Sequence, residues 1–243
     1  MHTEYKRIAE NADKAILFIH GIVGTPNHFR DFLPLVPDNV SIYNMRLDGH
    51  GKGVKDFAAA SMKKWEEQVG CVITELSSTH KEIYIVAHSM GTLFALEQAI
   101  QNPKVTKLFL LAVPLRLFLK PRLFINSMKV YWNRIDPNDP IASAAKNCYG
   151  IAADKNPFHY IGWIPRFLEL FGKIRKVRKK IKELTTPCFV YQSAKDEMVA
   201  KEAQKFLGEN PFVTVHVLEK SGHYYYEGGD FAFLKSELTK FVS

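Results

Sequence analysis

The sequence of 243 residues has few cysteines and no long apolar run, and both features exclude classes of protein. Cys71, Cys148 and Cys188 are odd in number and far apart, so they provide neither a disulfide framework nor a C-x-x-C metal pattern. No apolar stretch approaches the roughly 18 residues of a membrane-spanning helix, and residues 1–14 lack the apolar centre of a secretory signal. Internal repeats and low-complexity tracts are also missing. We therefore expect a soluble, cytoplasmic protein.

Apolar residues are abundant, and their order along the chain favours an α/β fold. Hydrophobic residues make up 47% of the sequence and aromatic residues 12%, which is enough for a full core. Short apolar runs alternate with helical patterns, as in parallel βαβ units. The runs that read as interior strands, apolar on both faces, are 15–20, 40–45, 83–88 and 107–113, and the later runs 188–193 and 213–219 also read as strands.

Helices are predicted between these strands from caps and apolar spacing. Thr25 before Pro26 predicts a helix start, and Ser61 can cap a helix whose apolar face begins at Trp65. Residues 93–100 are apolar enough for a buried helix. The chain ends on an amphipathic pattern carried by Phe231, Leu234, Leu238 and Phe241.

The alternation of strands and helices stops between residues 114 and 183. This segment is rich in aromatic, leucine and basic residues, and it carries 15 Lys/Arg against 5 Asp/Glu, a net charge of +10. The rest of the chain has 18 against 20, so the segment accounts for the whole net charge of +8. We expect a mostly helical insertion, 114–183, lying over the end of a sheet formed by 1–113 and 184–243.

A serine lies where a buried strand gives way to a buried helix, in the pentapeptide Ala87-His88-Ser89-Met90-Gly91. Small residues two before and two after the serine permit the tight turn of a nucleophile elbow, which lifts the hydroxyl out at the carboxyl end of the sheet. The usual pattern is G-x-S-x-G, and Ala87 replaces its first glycine. The alternative interpretation is an ordinary serine cap of a helix.

An acid and a base follow in the order that this architecture requires. A serine hydroxyl needs a base to take its proton and a third group to orient that base. Asp196 follows the strand 188–193, and His223 follows the strand 213–219. Both therefore lie at strand ends, where open α/β sheets place their catalytic groups. Glu197 is the rival acid.

Two backbone amides are predicted to stabilise the oxyanion of acyl transfer. The stretch His20 to Pro26, "HGIVGTP", follows the first interior strand, and Gly21 and Gly24 leave it free to turn its amides toward the site. We assign the two donors to the N–H groups of Ile22 and Met90. His20 is expected to brace the loop. A plain strand-to-helix turn is the alternative interpretation.

Together these motifs resemble the α/β-hydrolase superfamily, close to its small carboxylesterase and monoacylglycerol-lipase group. The matching pieces are "HGIVGTP", "RLDGHGKG" (46–53), Trp65, "AHSMG", "AKDEMV" and "SGH", in family order. The resemblance implies the α/β-hydrolase fold, a mostly parallel sheet flanked by helices, with 114–183 as a helical cap. It also implies Ser89 as nucleophile, His223 as base and Asp196 as the partner of that base. We predict no cofactor.

The expected activity is hydrolysis of carboxylic esters through an acyl-enzyme. Thioester, amide or C–C hydrolysis would use the same groups and stays open. A non-catalytic ligand-binding protein is the alternative from another class, although it predicts a broken triad. None of the nine histidines has ligand-like spacing with other donors, so we predict no metal.

The insertion is expected to choose the substrate. Its aromatic residues favour a small ester with an apolar acyl or aromatic group; they are Phe118, Phe124, Tyr131, Trp132, Phe158, Tyr160, Trp163, Phe167 and Phe171. Seven of ten residues in 173–182 are basic, on a helix whose apolar stripe is predicted to include Phe167 and Phe171. A solvated helix face and a weak contact with anionic lipid or an acidic substrate both stay open. No nucleic-acid-binding fold accompanies the charge.

Overall fold

The computed structural model describes residues 3–118, 136 and 138–243, and its centre is a seven-stranded sheet with the order β1-β3-β2-β5-β6-β8-β9. β4 and β7 pair separately. The strands are β1 (Tyr5–Arg7), β2 (Lys14–Ile19), β3 (Ser41–Met45), β4 (Lys52–Gly53), β5 (Glu82–His88), β6 (Val105–Leu111), β7 (Ile151–Ala152), β8 (Cys188–Ser193) and β9 (Val213–Leu218).

Helices cover both faces of the sheet. They are α1 (Val54–Ala59), α2 (Met62–Thr79), α3 (Met90–Gln101), α4 (Pro140–Cys148), α5 (Ile164–Lys180), α6 (Ala203–Gly208) and α7 (Gly228–Val242). Short 3₁₀ helices occupy Pro26–Phe29, Leu33–Leu35, Pro157–Trp163 and Ile181–Glu183.

The direction of the strands places their carboxyl ends along one edge of the sheet. β1 runs antiparallel to β3, and every other neighbouring pair in the large sheet is parallel. β5 lies in the interior, with β2 on one side and β6 on the other. Side chains that follow these strands therefore gather at a common edge.

The core consists of two apolar layers, one on each face of the sheet. Along β2, Ile16 and Phe18 join one buried cluster, whereas Leu17 and Ile19 join the other. This alternation is the two-residue period of a strand. Both layers are closed to water, because α2, α3 and α5 cover one face and α7 packs on the other. All six predicted strands form, within two residues at each end, and β9 lies at an edge of the sheet.

The prediction for the segment after β2 was partly wrong. Thr25 does not cap the following turn, and the residues from Pro26 form a 3₁₀ helix of four residues instead of an α-helix. Thr25 is fully buried, and its hydroxyl lies 3.5 Å from the carbonyl of Cys148, so the side chain faces α4. Ser61, by contrast, caps α2 by accepting from the N–H of Lys64 at 3.1 Å.

The described part of the predicted insertion contains α4, β7, two 3₁₀ helices and α5. β7 pairs with β4, which the sequence analysis did not predict because both strands have only two residues. Trp163 donates its indole N–H to the carbonyl of Val54, so this segment is also fixed to α1. Among the residues that the structure describes, no helix has the length and apolarity to cross a bilayer. The division into core and cap at 114 and 183 stays a prediction.

Candidate active site

The predicted nucleophile lies on a sharp turn between β5 and α3. Ser89 has a φ of 51°, in the left-handed region that residues with a side chain seldom adopt. The turn is possible because Gly91 has no side chain: a Cβ there would lie 2.3 Å from the carbonyl oxygen of Ile19. α3 can therefore begin directly against the end of β2, and Ser89 stands at the head of that helix.

The predicted acid and base meet because the loops after β8 and β9 run together. Ala194 donates its N–H to Leu218, and Lys195 donates to Ser221, so the two loops are hydrogen-bonded side by side. At their ends, Nδ1 of His223 lies 2.8 Å from Oδ2 of Asp196, and both side chains are buried. The other oxygen of Asp196, Oδ1, accepts the N–H groups of Met198 and Val199 at 2.7 Å each.

The ring of His223 reaches the elbow with its second nitrogen free. Nε2 of His223 is buried and has no hydrogen-bond partner among the described residues. The ring centroid of His88, the residue before Ser89, is 4.7 Å from that of His223. The structure gives no hydrogen bond between Ser89 Oγ and His223 Nε2, a bond that unliganded enzymes often form only with substrate.

The predicted oxyanion loop packs against the serine. A Cβ on Gly21 would come within 2.8 Å of Cβ of Ser89, so only glycine allows this approach. The loop turns back on itself through a hydrogen bond from the N–H of Gly24 to the carbonyl of Gly21 at 3.1 Å. Ile22, one predicted donor, is buried in this turn, and Met90, the other, is the first residue of α3. The first N–H groups of a helix have no acceptor inside it, so that of Met90 is available.

His20 fixes the start of the same loop. Its Nε2 accepts the N–H of Leu47 at 3.1 Å, so the proton is on Nδ1, which donates to the carbonyl of Gly21 at 2.9 Å. Burial holds the pKa of His20 well below its usual value, with His50 nearby as a second cause. A neutral ring with this tautomer satisfies both hydrogen bonds, as expected for a residue that braces the loop.

Two further side chains hold the backbone of His223, and the sequence analysis missed both roles. Nε2 of His88 lies 3.0 Å from the carbonyl oxygen of His223. Oε2 of Glu197 accepts the N–H of His223 at 3.0 Å. Asp196 thus takes the ring and Glu197 the main chain, which gives each of these neighbouring acids a separate task. Only the register of the two loops distinguishes them, and sequence spacing does not contain it.

A second buried histidine extends this arrangement away from the serine. The rings of His28 and His88 stack at 4.0 Å, and Nδ1 of His28 lies 3.3 Å from Sγ of Cys148. Burial lowers the pKa of His28 to about 3, and burial together with its neighbours His28 and His223 lowers that of His88. Both rings are therefore neutral at pH 7 and act as hydrogen-bonding spacers.

Among the described residues, the aromatic side chains of the insertion divide into an exposed set and a packed set. Phe118, Phe158 and Phe171 are exposed, whereas Trp163 packs on Phe57 with ring centroids 4.7 Å apart. Phe124, Tyr131 and Trp132 lie outside the described residues. The described residues form a cavity of about 170 Å³ beside His28, and its lining does not include Ser89.

The basic stretch of α5 also differs from its prediction. Lys173 is buried, and its Nζ pairs with Glu97 of α3 and, at 2.9 Å, with Glu66 of α2. Phe171, predicted on the apolar inner stripe, faces outward, and Leu170 takes the inner place. The outer basic face is therefore one residue smaller than predicted.

Within the described residues, His, Cys, Asp and Glu do not form a group of three or more that could hold a metal ion. The absence of a metal cofactor stays a prediction.

Solved structures with the same fold include several enzymes of lipid and ester hydrolysis. One of the metagenome-derived lipolytic enzymes LipS and LipT aligns over 99% of this chain and 97% of its own, with a TM-score of 0.74 and 18% identity. The monoacylglycerol lipase of Paleococcus ferrophilus aligns over 99% and 98%, with a TM-score of 0.67 and 16% identity. A carboxylesterase of the thaumarchaeon Nitrososphaera gargenis aligns over 98% and 96%, with a TM-score of 0.68 and 15% identity.

At these identities the structural matches establish the fold, which agrees with the fold predicted from the motifs. No match to the sequence was found among the curated proteins. The family model described as "Alpha/beta hydrolase family" matches residues 16–232, most of the chain. The chain therefore belongs to the alpha/beta hydrolase family.

Proposed function

We propose that the protein is a serine hydrolase that cleaves carboxylic esters through an acyl-enzyme. One observation carries the proposal: a buried His223 is bound to Asp196 through Nδ1 and presents an unpartnered Nε2 beside the elbow of Ser89. Of the buried polar atoms without a partner among the described residues, Nε2 of His223 is the one on a ring that a carboxylate orients beside a serine.

In the proposed reaction, Ser89 Oγ attacks the ester carbonyl while Nε2 of His223 takes its proton. Asp196 holds the ring in the tautomer with the proton on Nδ1 and stabilises the charge that the ring gains. The N–H groups of Ile22 and Met90 donate to the oxyanion. His223 then returns the proton to the leaving alcohol. A water molecule, deprotonated by the same nitrogen, attacks the acyl carbon, and His223 gives that proton back to Ser89 Oγ as the bond to the acid breaks.

The proposed substrates are small esters with an apolar acyl or aromatic group, of short to medium acyl length or similar to monoacylglycerols. The motif resemblance supports this choice, and structures of the same fold include lipolytic enzymes and monoacylglycerol lipases. A panel of p-nitrophenyl esters of increasing chain length measures it. Activity confined to the acetate would contradict a pocket of acyl size.

Thioester, amide and C–C bond hydrolysis remain the alternatives within the same chemistry, because the same three side chains would serve them. A panel of matched esters, thioesters and amides ranks them by kcat/KM. A cytoplasmic location also stays a prediction; the free state of all three cysteines supports it, because reducing compartments keep thiols unpaired.

The decisive test compares Ser89→Ala with Ser78→Ala. Ser78 is exposed on α2 and serves as the matched control. We expect the unchanged protein and Ser78→Ala to react with a fluorophosphonate probe and to hydrolyse p-nitrophenyl butyrate. Ser89→Ala should lose the labelling and at least about 10⁴-fold of kcat. Labelling or full turnover in Ser89→Ala would overturn the proposal, and so would an unlabelled but folded parent protein, which would favour a non-catalytic binder.

A further inference from the structure

Helix α5 and the turn before it expose a row of large apolar side chains. We call this set the apolar row: Phe158, Ile161, Ile164, Leu168 and Phe171, all of which are exposed. Phe158 is 74% exposed and Leu168 is 63% exposed. Single exposed apolar residues are ordinary on protein surfaces, but five within fourteen residues are not.

The spacing of the apolar row places it on one side of a continuous helical segment. The backbone stays helical where the 3₁₀ helix meets α5, at Trp163 and Ile164. From Ile161 onward the members follow at steps of three, four and three residues, which is the spacing of one helix face. The opposite face is filled by the buried residues Leu170, Ile174, Val177 and Ile181. The segment is therefore apolar on both faces, and only one of them is covered.

Uncompensated positive charge continues the same side of the helix. Arg175 and Lys179 follow Phe171 by four and eight residues, and both are exposed. Neither forms an ion pair with an acidic side chain within the described residues, in contrast to Lys182, which pairs with Glu209 at 3.0 Å. The nearest acid on α5, Glu169, is already bound to Arg166 at 2.6 Å.

We propose that the apolar row and these two cations dock the protein on the surface of an anionic lipid bilayer. The apolar side chains would enter the boundary between headgroups and acyl chains, while Arg175 and Lys179 contact the anionic headgroups. The combination of exposed large apolar residues and basic residues on one helix face is typical of helices that lie in a membrane interface. Docking would remove the exposed apolar face of α5 from water.

The contact is independent of the proposed chemistry at Ser89. None of its residues takes part in the site at the carboxyl edge of the sheet, so binding to vesicles and hydrolysis of a dissolved ester are separate measurements. The proposed docking surface differs from the predicted lipid contact of 173–182. It begins fifteen residues earlier, at Phe158, and is mainly apolar. Its cations are the exposed ones, and the buried Lys173 does not contribute.

Vesicle flotation with the full chain tests the proposal. Phosphatidylcholine vesicles are compared with vesicles that also contain phosphatidylglycerol, at low and at high NaCl. The variant Ile164→Ser with Leu168→Ser removes apolar surface, and Ile8→Ser, on an exposed residue remote from α5, is its control. Arg175→Gln with Lys179→Gln removes two charges, and Lys81→Gln with Lys220→Gln removes two charges elsewhere.

We expect strong binding only to the anionic vesicles, and weaker binding in high salt because salt screens exposed charges. The Ile164/Leu168 variant should bind at least about tenfold more weakly, and the Arg175/Lys179 variant about 25-fold more weakly, at roughly fivefold for each of its two charges. Both controls should bind like the parent. All variants should hydrolyse dissolved p-nitrophenyl butyrate at the parent rate, which separates this proposal from the one on Ser89.

Three results would overturn the docking. They are equal binding to neutral and anionic vesicles, no loss of binding in the Ile164/Leu168 variant, and a protein dimer in solution that the same variant dissociates. The last result would identify a second copy of the chain as the partner of the apolar row.

Discussion

The carboxyl edge of the sheet and the outer face of α5 both depart from the usual distribution of side chains between core and surface. The first buries polar side chains, and the second exposes apolar ones. At the sheet edge, polar side chains such as His88, Asp196 and Glu197 are buried, and their hydrogen-bonding groups meet partners. On α5, apolar side chains such as Leu168 and Phe171 face outward. Proteins ordinarily bury large apolar side chains and expose charged and polar ones.

The difference shows where each region depends on something outside itself. At the sheet edge, Nε2 of His223 is one of the buried polar atoms that have no partner among the described residues, and it is the atom that would accept the proton of Ser89. The inner face of α5 is packed against the core, whereas the apolar side chains of its outer face are exposed. The first region therefore lacks a hydrogen-bond partner at Nε2 of His223, and the second lacks an apolar surface to cover it.

The largest expected effect separates the two neighbouring acids of the sheet edge. Asp196→Asn should lower kcat by about 10³–10⁴-fold, because an amide favours the wrong tautomer of His223. Glu197→Gln keeps an oxygen that accepts the N–H of His223. We expect it to lose less than about tenfold. Initial rates with p-nitrophenyl butyrate, with circular dichroism to check folding, measure both.

Equal losses in these two variants would contradict the division of tasks between Asp196 and Glu197. A larger loss in Glu197→Gln would exchange their roles. The kcat/KM profile against pH provides a second readout, because only a change at the ring of His223 should move the profile along the pH axis.

An intermediate effect separates the two faces of α5. Leu170 is 4% exposed and Leu168 is 63% exposed, although only one residue lies between them. Leu170→Ala should lower the free energy of unfolding by about 2–5 kcal/mol, because it opens a cavity in the core. Leu168→Ala should change it by less than about 0.5 kcal/mol. Urea denaturation measures both, and similar losses would show that the outer face is packed.

The smallest effect concerns the buried histidines of the sheet edge. Burial lowers the pKa of His28 to about 3 and that of His50 to about 4, so the unfolded chain binds more protons than the folded one between these values and the ordinary 6.5. Stability should therefore fall as the pH drops below about 6.5. His28→Phe should reduce the difference in unfolding free energy between pH 7.5 and pH 5.5 by about 1.4 kcal/mol.

Urea denaturation at the two pH values, on the parent and the variant, measures this difference directly. An unchanged difference in His28→Phe would mean that His28 titrates alike in the folded and unfolded chain. The comparison uses the change with pH and not the absolute stability, because the variant also loses the contacts of His28 with Cys148 and Tyr226.

The sheet was predictable because its signals are local. Each interior strand, such as β2 or β5, is a run of consecutive apolar residues, and each run is long enough to be recognised by itself. β1, β4 and β7 were not predicted, because three or two residues carry no periodic pattern. The prediction that Thr25 caps a helix was wrong for a different reason. Its capping signal is local, but its side chain is turned toward α4, which is distant in the sequence.

The candidate site was predictable in its residues and not in its supports. Ser89, Asp196 and His223 are each marked by their position after a strand, and the structure brings the acid and the base together. The tasks of His88 and Glu197 depend on how two loops lie against each other, which spacing along the chain does not encode. The prediction that Lys173 lies on the exposed basic face was wrong for a similar reason, since its burial depends on Glu97, which lies on a different helix.

Two missing side chains determine the shape of the elbow. Gly21 faces the serine and Gly91 faces the end of β2, and at either position even a methyl group would overlap its neighbour. The space around Ser89 therefore depends on the absence of these two side chains. A library of variants made to change substrate preference therefore has its freedom away from these two positions, because even the smallest addition here displaces the backbone of the elbow.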